Sequence, residues 1–523
     1  MNADNALPVT VEAPVYKREK GWLFWLFFLG GYLFVRWTGD VDAGFSHTLF
    51  YLLFSLLSLL YLKKEGIRLT ATAKVCYGLL TLLSLSFLVC PAEPIVNVVE
   101  AFLLLAYPLL ILYSCQNAVF PPEENLIGFD VLKSALVIPI ANAGKLFTQC
   151  GEKEKKGSSW KVMLGLLLSI VPSFAVLLLL LSADGAFANV FDRIDKTLTS
   201  DTLMTNIGYV ILAVPAAMYL FGVLYGNVNG ACRKSLTADS AKRFCDAMRF
   251  LPAETAVGIA FPILLLYVLF FLSQLSYFTS AFSWILPEQV TTYAEYARRG
   301  FFELCAISAI NLVALVSLYA FTKADTKGKR TALKICHVLF AVFTLGFIAI
   351  ALSKMGMYIG QYGLTRLRVY TSLFMIFLGI LFLLVLLKAI LPRLRVVLLS
   401  VLTAFVLISG TAFADVDRII ADHNVDLYVN GVTKTVDVHL FYDLSESALP
   451  AVLPLLDDED AIIRREAQTY VTNLYNKMER MTLREETLAS LRARKLLEEL
   501  GYYDEKIPEQ SGLLGQKEQA SYE

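Results

Sequence analysis

The amino-acid sequence predicts an all-α polytopic integral membrane protein with about 11 transmembrane helices and a small, soluble helical tail at its C-terminal end. Apolar residues make up 57% of the 523-residue chain and charged residues only 18%, whereas a soluble protein carries about 25% charged residues. Apolar runs close to the roughly 17–25 residues that cross a bilayer recur between Gly21 and Ala414, and none follows Ala414.

The apolar runs are predicted to be helices because a helix satisfies its own backbone hydrogen bonds in lipid. They are also too long, and too little alternating, for the strands of a membrane barrel. We therefore expect a transmembrane domain over residues 21–414. Its predicted spans are 21–35, 45–62, 75–90, 95–114, 162–181, 207–225, 256–275, 301–321, 335–352, 370–387 and 396–414.

The distribution of Lys and Arg predicts the orientation of these spans. Segments predicted to face the cytoplasm carry 26 Lys and Arg residues, and segments predicted to lie outside carry eight. Basic residues accumulate in cytoplasmic loops. We therefore expect residues 1–20 to form a cytoplasmic N-terminal tail and the C-terminal tail to lie outside. One miscounted span would reverse the side of the C-terminal tail.

One inner loop has a pattern of its own. Between the fourth and fifth spans, apolar residues recur at steps of three and four over residues 127–147, interrupted by Pro139. This periodicity predicts an amphipathic helix on the inner membrane surface.

Residues 415–523 are predicted to form an acidic helical tail, with 22 Asp and Glu residues against 12 Lys and Arg. Helices are expected over 445–456, 461–478 and 482–500, with a disordered end after about residue 501. One passage, 448–471, is similar to a HEAT-type helical pair, but a solenoid needs about three repeats, so a plain hairpin is favoured. The last span ends in Ala-Phe-Ala, and cleavage after Ala414 is a minor alternative.

Polar and charged residues near the outer ends of several spans are the candidate site. Ionisable groups within membrane helices are costly and suggest function. Such residues could converge on an outward-facing cavity, or each could be an independent boundary residue or interhelical hydrogen bond, which is the favoured interpretation. Glu303 could bind a proton or ligand, or pair with Arg299 one turn away. The candidates are Glu100, Gln274, Arg298, Arg299, Glu303, Asn311, Arg366 and Arg368.

The sequence offers little sign of catalysis. None of the eight cysteines forms a CxxC pair, and P-loop, GxSxG and HExxH motifs are missing. We therefore predict no catalytic residue, no cofactor and no metal site, and the charge pattern does not suggest nucleic-acid binding. Asp40 and Asp42 form a D-x-D motif in the first outer loop, which would suit a lipid-sugar-dependent glycosyltransferase.

Several passages resemble a bacterial multi-pass membrane family known as the domain-of-unknown-function 4153/4173 group. The most specific are YARRGFFEL at 296–304 and GLTRLRVYTS at 363–372, accompanied by LLSADGAFANVF at 180–191 and NVDLYVNG at 424–431. The resemblance implies a multi-pass protein of a bacterial plasma membrane. It implies no activity.

Three functional hypotheses follow. The favoured one is a non-enzymatic envelope sensor or scaffold, or a regulatory membrane component, that lies in the lipid bilayer and binds a protein partner through its tail. The second is a secondary transporter of a small solute, suggested by prolines within or beside spans such as Pro108, Pro215 and Pro262. The third is a glycosyltransferase-like membrane enzyme that depends on Asp40 and Asp42.

Overall fold

A computed structural model describes residues 22–39, 44–89, 93–120, 126–148, 201–229, 238–273, 293–483 and 485–502. Almost all of these residues are helical, which confirms the predicted all-helical class. Several sequence predictions fall outside the described residues: the N-terminal tail 1–20, Asp40 and Asp42, the span 162–181, Gln274, and the chain beyond residue 502.

An N-terminal bundle is built from α1 (Trp22–Thr38), α2 (Phe45–Lys64), α3 (Ala71–Ser84), α4 (Glu93–Ser114) and α8 (Asp201–Val228), and α3 continues as a 3-10 turn over Leu85–Leu88. Its core holds large aromatic side chains, including Tyr51, Tyr107 and Phe221. Helices α1 and α8 approach closely at Gly31, where an added Cβ would lie 2.5 Å from the carbonyl oxygen of Ala213. Only glycine permits that approach.

The segment after α4 is a broken helix. It comprises α5 (Ile127–Leu132), a π-helical turn (Lys133–Val137), α6 (Ile138–Ala143) and α7 (Lys145–Thr148). Pro139, at the start of α6, has no N–H for a continuous helix. The segment packs on α8, where Gly222 faces the backbone of Pro139.

A second bundle comprises α9 (Ala238–Met248), α10 (Ala253–Ser273), α11 (Tyr293–Phe321), α12 (Lys327–Tyr362), α13 (Arg366–Ile390) and α14 (Val396–Phe413). Two short strands, β1 (Leu251–Pro252) and β2 (Thr322–Lys323), pair in parallel beside the ends of α10 and α11. An ion pair of 2.8 Å between Lys329 Nζ and Glu254 Oε1 joins α12 to α10 at the same end. The core contains Phe301, Phe347 and Phe382.

Nine helices of the described chain are long and apolar enough to cross a membrane, which indicates a membrane protein. The apolar stretch of α1, Leu23–Thr38, is shorter. Many large apolar side chains of the second bundle point outward, as lipid contact requires. Helix α12 has 36 residues, against 18 in its predicted span. At 1.5 Å per residue it reaches about 54 Å, so its polar ends extend beyond a hydrocarbon core of about 30 Å.

The tail is a small helical unit of α15 (Val416–Val429), α16 (Leu449–Val452), α17 (Ala461–Arg480) and α18 (Leu488–Glu499), with 3-10 turns at Val438–Asp443, Glu446–Ala448 and Leu453–Asp457. Ile420, Phe441 and Val471 are fully buried in its core. The last helix begins at Leu488 rather than near 482, because Thr487 and Ser490 form a reciprocal capping box there.

The tail lies at one end of the helices and the start of α1 at the other. The backbone N–H of Phe45, at the start of α2, donates to the carbonyl of Glu486 in the tail at 3.1 Å. At the opposite end the ring of Phe24, early in α1, lies 5.9 Å from that of Phe147 in α7.

Candidate functional site

The tail is tied to the membrane helices at the start of α13. Arg366 donates through Nε to Asp417 Oδ1 at 2.7 Å and through Nη2 to Oδ2 at 2.6 Å. Asp417, in the first turn of α15, is completely buried, and its Oδ2 also accepts from the backbone N–H of Ser445 at 2.9 Å. A bidentate guanidinium–carboxylate pair fixes both orientation and distance. It therefore locks α15 to the first turn of α13.

A second contact joins the same two segments. Asn424 accepts from the backbone N–H of Leu364 at 2.7 Å and donates to the Leu364 carbonyl at 2.8 Å. Gly363, just before, has φ of +70°, and an added Cβ would overlap the Asn424 side chain. Glycine is therefore required there for both conformation and space. We call the Arg366–Asp417 and Leu364–Asn424 contacts the tail clamp.

Arg368 lies two residues further on and has different partners. Its Nη1 donates to the carbonyls of Tyr362 at 2.8 Å and Gly363 at 2.5 Å. Its guanidinium carbon lies 4.1 Å from the centre of the Tyr358 ring, a cation–π geometry. Among the described residues, no carboxylate forms an ion pair with Arg368. Two arginines of one helical turn thus differ sharply in their electrostatic surroundings.

A cavity of about 220 Å³ opens beside Arg368, where α11, α12 and α13 meet at the tail side of the bundle. We call it the boundary pocket. Its lining combines an apolar wall with one guanidinium and three hydroxyl-bearing side chains, and consists of Phe301, Phe302, Met355, Tyr358, Thr365, Leu367, Arg368 and Thr371.

Further charged residues lie on α11 and α12 beside the residues that line the boundary pocket. Glu303 follows Phe302 on α11, has an exposed side chain, and acts electrostatically on Lys354 of α12. The backbone of α11 places Arg298 and Arg299 about one turn before Phe302. Arg366, Arg368 and Glu303 thus lie on neighbouring helices at the tail end of the second bundle.

Asn311 lies elsewhere, within the membrane part of α11. It is completely buried, accepts from the Tyr267 hydroxyl at 2.5 Å, and donates to Thr344 Oγ1 at 2.9 Å. The three side chains join α10, α11 and α12. Interhelical hydrogen bonds of this kind stabilise helix packing in membranes.

Glu100 belongs to the N-terminal bundle. Its half-buried carboxyl group lies beside the hydroxyl of Thr38 on α1 and within electrostatic range of Tyr51 on α2. No contact among the described residues joins Glu100 to Arg366, Arg368 or Glu303. The predicted residues therefore divide among three places.

The carboxyl group of Asp415 caps α15 beside the tail clamp. Its backbone has φ of +49°, and its Oδ1 accepts a long 3.4 Å hydrogen bond from Arg418 N. Burial raises the pKa of Asp415 above its ordinary value, although the Ser447 hydroxyl and the Arg418 N–H oppose the shift. The neutral form of Asp415 therefore suits the fold better than the carboxylate.

The opposite end of the molecule holds a buried polar cluster that the sequence did not reveal. Asp130 is fully buried and accepts from Val119 N at 2.6 Å, and Lys133 donates to the Asn117 carbonyl at 2.9 Å. Asn117 donates to the Asn227 carbonyl, while Asn227 Oδ1 finds no hydrogen-bond partner among the described residues. A π-helical turn contributes Lys133, and such turns are frequent at functional sites.

Asp417 and Asn424 were the functional residues that sequence analysis missed. A signal was present, because positions 417 and 424 are seven apart and therefore share the face of α15 that carries the buried Ile420 and Ala421. Polar residues on the apolar face of a helix require buried partners. The identity of Arg366 as the partner of Asp417, 51 positions earlier, was not visible in that pattern.

Within the described part of the chain, no group of three or more His, Cys, Asp and Glu residues is arranged to hold a metal ion. No curated protein and no solved structure matches the chain significantly. A family model described as "Domain of unknown function (DUF4153)" matches residues 79–455. The matched region runs from α3 into the tail and includes the tail clamp and the boundary pocket.

Proposed function

Because the chain belongs to the DUF4153 family, whose description assigns no activity, we propose its function from the geometry of the tail. The proposal is a non-enzymatic sensor or scaffold in which the acidic tail binds a protein partner and the tail clamp couples that binding to the membrane helices. The resemblance noted from YARRGFFEL and GLTRLRVYTS is confirmed by the family match.

The tail clamp is the observation that carries this proposal. A tail tethered only by a flexible linker could bind a partner without consequence for the membrane helices. Here the buried Asp417 joins the tail to the first turn of α13, and Asn424 joins the tail to Leu364 in the loop between α12 and α13. A partner that binds the docked and undocked tail with different affinities would therefore shift the arrangement of these helices.

The surface of the tail offers a place for such a partner. A groove of about 520 Å³ runs between the 3-10 turn at Val438–Asp443 and helix α17. Its lining mixes apolar side chains with His439, Arg465 and Glu466. Protein interfaces commonly combine aromatic and aliphatic contacts with a charged rim.

We further propose that the membrane is a bacterial plasma membrane, with 11 spans, the tail outside and residues 1–20 in the cytoplasm. The excess of Lys and Arg in the segments predicted to be inside supports this orientation. The position of the tail, at the end of the bundle opposite the start of α1, agrees with it. So does the docking of the tail on Phe45, at the predicted outer end of the second span, and on Leu364, in a segment predicted to lie outside.

A cysteine-accessibility experiment tests the orientation. The exposed Gln468 of α17 is replaced by cysteine in a background without the eight native cysteines. Labelling of intact cells by a membrane-impermeant thiol reagent supports an outside tail. Labelling that appears only after lysis places the tail inside, and the partner would then be cytosolic. A C-terminal tag on the same protein reports whether the chain is cleaved after Ala414.

The second candidate function is a secondary transporter, favoured by the broken helix 127–148 and the buried polar cluster of Lys133, Asn117 and Asn227. Transporters place substrate sites beside interrupted helices. Prolines inside α4, α8 and α10 are compatible with this function. A solute that raises the melting temperature of the purified protein, but not that of an Asn227→Leu variant, would support it. A broad solute panel without such a shift would contradict it.

The glycosyltransferase-like alternative depends on Asp40 and Asp42, which the described residues do not include. Replacing both by Asn tests it directly. An unchanged cellular phenotype in that double variant would exclude this alternative.

A further inference from the structure

We propose that the boundary pocket binds the phosphate-bearing headgroup of an anionic membrane lipid, with the Arg368 guanidinium as the anion-binding group. This is a ligand site separate from the tail clamp, and it does not depend on the tail binding a partner. The charge, the position and the rigidity of the pocket support this assignment.

Within the described part of the chain, no carboxylate neutralises the charge of the pocket. Arg366 is paired with the buried Asp417, whereas none of the described carboxylates forms an ion pair with Arg368. Its guanidinium has five N–H donors, and Nη1 accounts for the two carbonyl contacts. A guanidinium can bind a phosphate in a planar, two-point manner, which makes arginine the usual residue for this task.

The position of the pocket selects a lipid rather than a soluble anion. Phe301 and Arg366 are the first residues of two candidate membrane spans, so the pocket lies at the edge of the hydrocarbon layer. Phe302 and Leu367, which line the same pocket as Arg368, are 52% and 62% exposed, respectively, and offer an apolar surface beside the charge. An anionic lipid would place its phosphate on Arg368 and its acyl chains against Phe302 and Leu367.

The binding group is also held rigidly. Arg368 stacks on Tyr358 and is fixed by the Tyr362 and Gly363 carbonyls, which limits the side-chain entropy lost on binding. Thr365 and Thr371 line the same pocket. The Thr371 hydroxyl donates to the Leu367 carbonyl, whereas the Thr365 hydroxyl accepts from Arg368 N and keeps its own proton for a headgroup oxygen. A surface arginine without these contacts would lack this preorganisation.

The test is native mass spectrometry of the full-length protein exposed to an equimolar mixture of phosphatidylglycerol and phosphatidylcholine. We expect preferential retention of phosphatidylglycerol, reduced about fivefold by Arg368→Gln, the effect of one basic residue at an anionic membrane surface. Arg480→Gln removes the same charge from an exposed position on the tail and should leave the preference unchanged. Arg368→Lys retains the charge but loses the planar guanidinium, so an intermediate preference is expected.

The result that overturns the proposal is an Arg368→Gln protein that keeps the full preference for phosphatidylglycerol. If Arg368→Gln does not fold, loss of preference in the Arg368→Lys variant relative to Arg480→Gln still supports the site, and an unchanged preference refutes it. Inorganic phosphate provides the remaining arm. If phosphate alone displaces phosphatidylglycerol completely, the site binds a soluble anion and the lipid assignment is wrong.

Discussion

Replacement of Arg366 by Gln should release the tail from the membrane helices. The variant leaves the buried Asp417 carboxylate with one of its three hydrogen bonds, that from Ser445 N. Removing one partner of a buried ion pair destabilises by about 3–5 kcal/mol. Because the Arg366 side chain is itself 24% exposed, we expect the lower end, about 3 kcal/mol.

Hydrogen exchange of the Leu364 and Ser445 amides measures this effect, because both amides donate into the tail clamp. A loss of about 3 kcal/mol corresponds to exchange roughly 100-fold faster when exchange follows local opening. The double variant Arg366→Gln/Asp417→Asn should lose less than Arg366→Gln alone, since it removes the unpaired charge.

The matched control is Lys495→Gln, which breaks an exposed pair with Glu499 at 3.7 Å. Exposed pairs of this type contribute little, so exchange in the tail clamp should be unchanged. Two results would refute the reasoning: unchanged exchange at Leu364 in Arg366→Gln, or a double variant whose loss equals the sum of both single losses. The first result would mean that the ion pair does not hold the tail, and the second that Arg366 and Asp417 contribute independently of each other.

Three further predictions concern other positions. Gly363→Ala should weaken tail docking by more than the roughly 1–3 kcal/mol that a non-glycine residue costs at this positive-φ, extended conformation, measured by the same amide exchange. Gly410→Ala, whose added methyl group meets open space, should leave that exchange unchanged. Folding favours the protonated form of Asp415, so the contribution of this group to stability should be lost as pH rises above 3.8, its ordinary pKa. The melting temperature of Asp415→Asn relative to that of the wild type should therefore increase over that range. Asn311→Ala and Thr344→Val should each lower the stability of the membrane helices by about 1 kcal/mol, measured by thermal melting in detergent. The double variant should lose less than the sum of the two single losses, and a fully additive loss would contradict a shared hydrogen-bond network.

The sequence predicted the helical class well because the signal for a membrane helix is local. Apolar length alone identified α2, α4 and α10, and backbone chemistry in lipid leaves few alternatives to a helix. The ends of helices were less predictable where polar residues continue a helix beyond the bilayer. Helix α12 illustrates this, since its last turn carries Tyr358 and Tyr362 well past the predicted end at 352.

The candidate site was predicted only in part, for a physical reason. A charged residue at the edge of a span is visible in the sequence, so Arg366, Arg368 and Glu303 could be selected. Which partner neutralises each charge depends on contacts between distant segments, such as the pairing of Arg366 with Asp417. The location of a polar residue within the fold was also not visible in the sequence. Asn311 is fully buried between three helices and Glu100 lies in the N-terminal bundle, yet in the sequence both look like the residues at the tail end of the second bundle.

Arg366 and Arg368 provide the sharpest separation of the two proposals. They are two residues apart on α13, carry the same charge, and lie beside the same loop, so general effects of charge removal should be similar for both. Their contacts differ: one holds a buried carboxylate of the tail, and the other stacks on Tyr358 beside the boundary pocket. Arg366→Gln should therefore accelerate amide exchange at Ser445 while leaving the lipid preference intact. Arg368→Gln should reduce the lipid preference with a much smaller effect on Ser445, because Asp417 keeps its partner. If both variants change both measurements equally, the tail clamp and the boundary pocket form one coupled unit, and the two proposals would have to be replaced by a single one in which lipid binding controls tail docking.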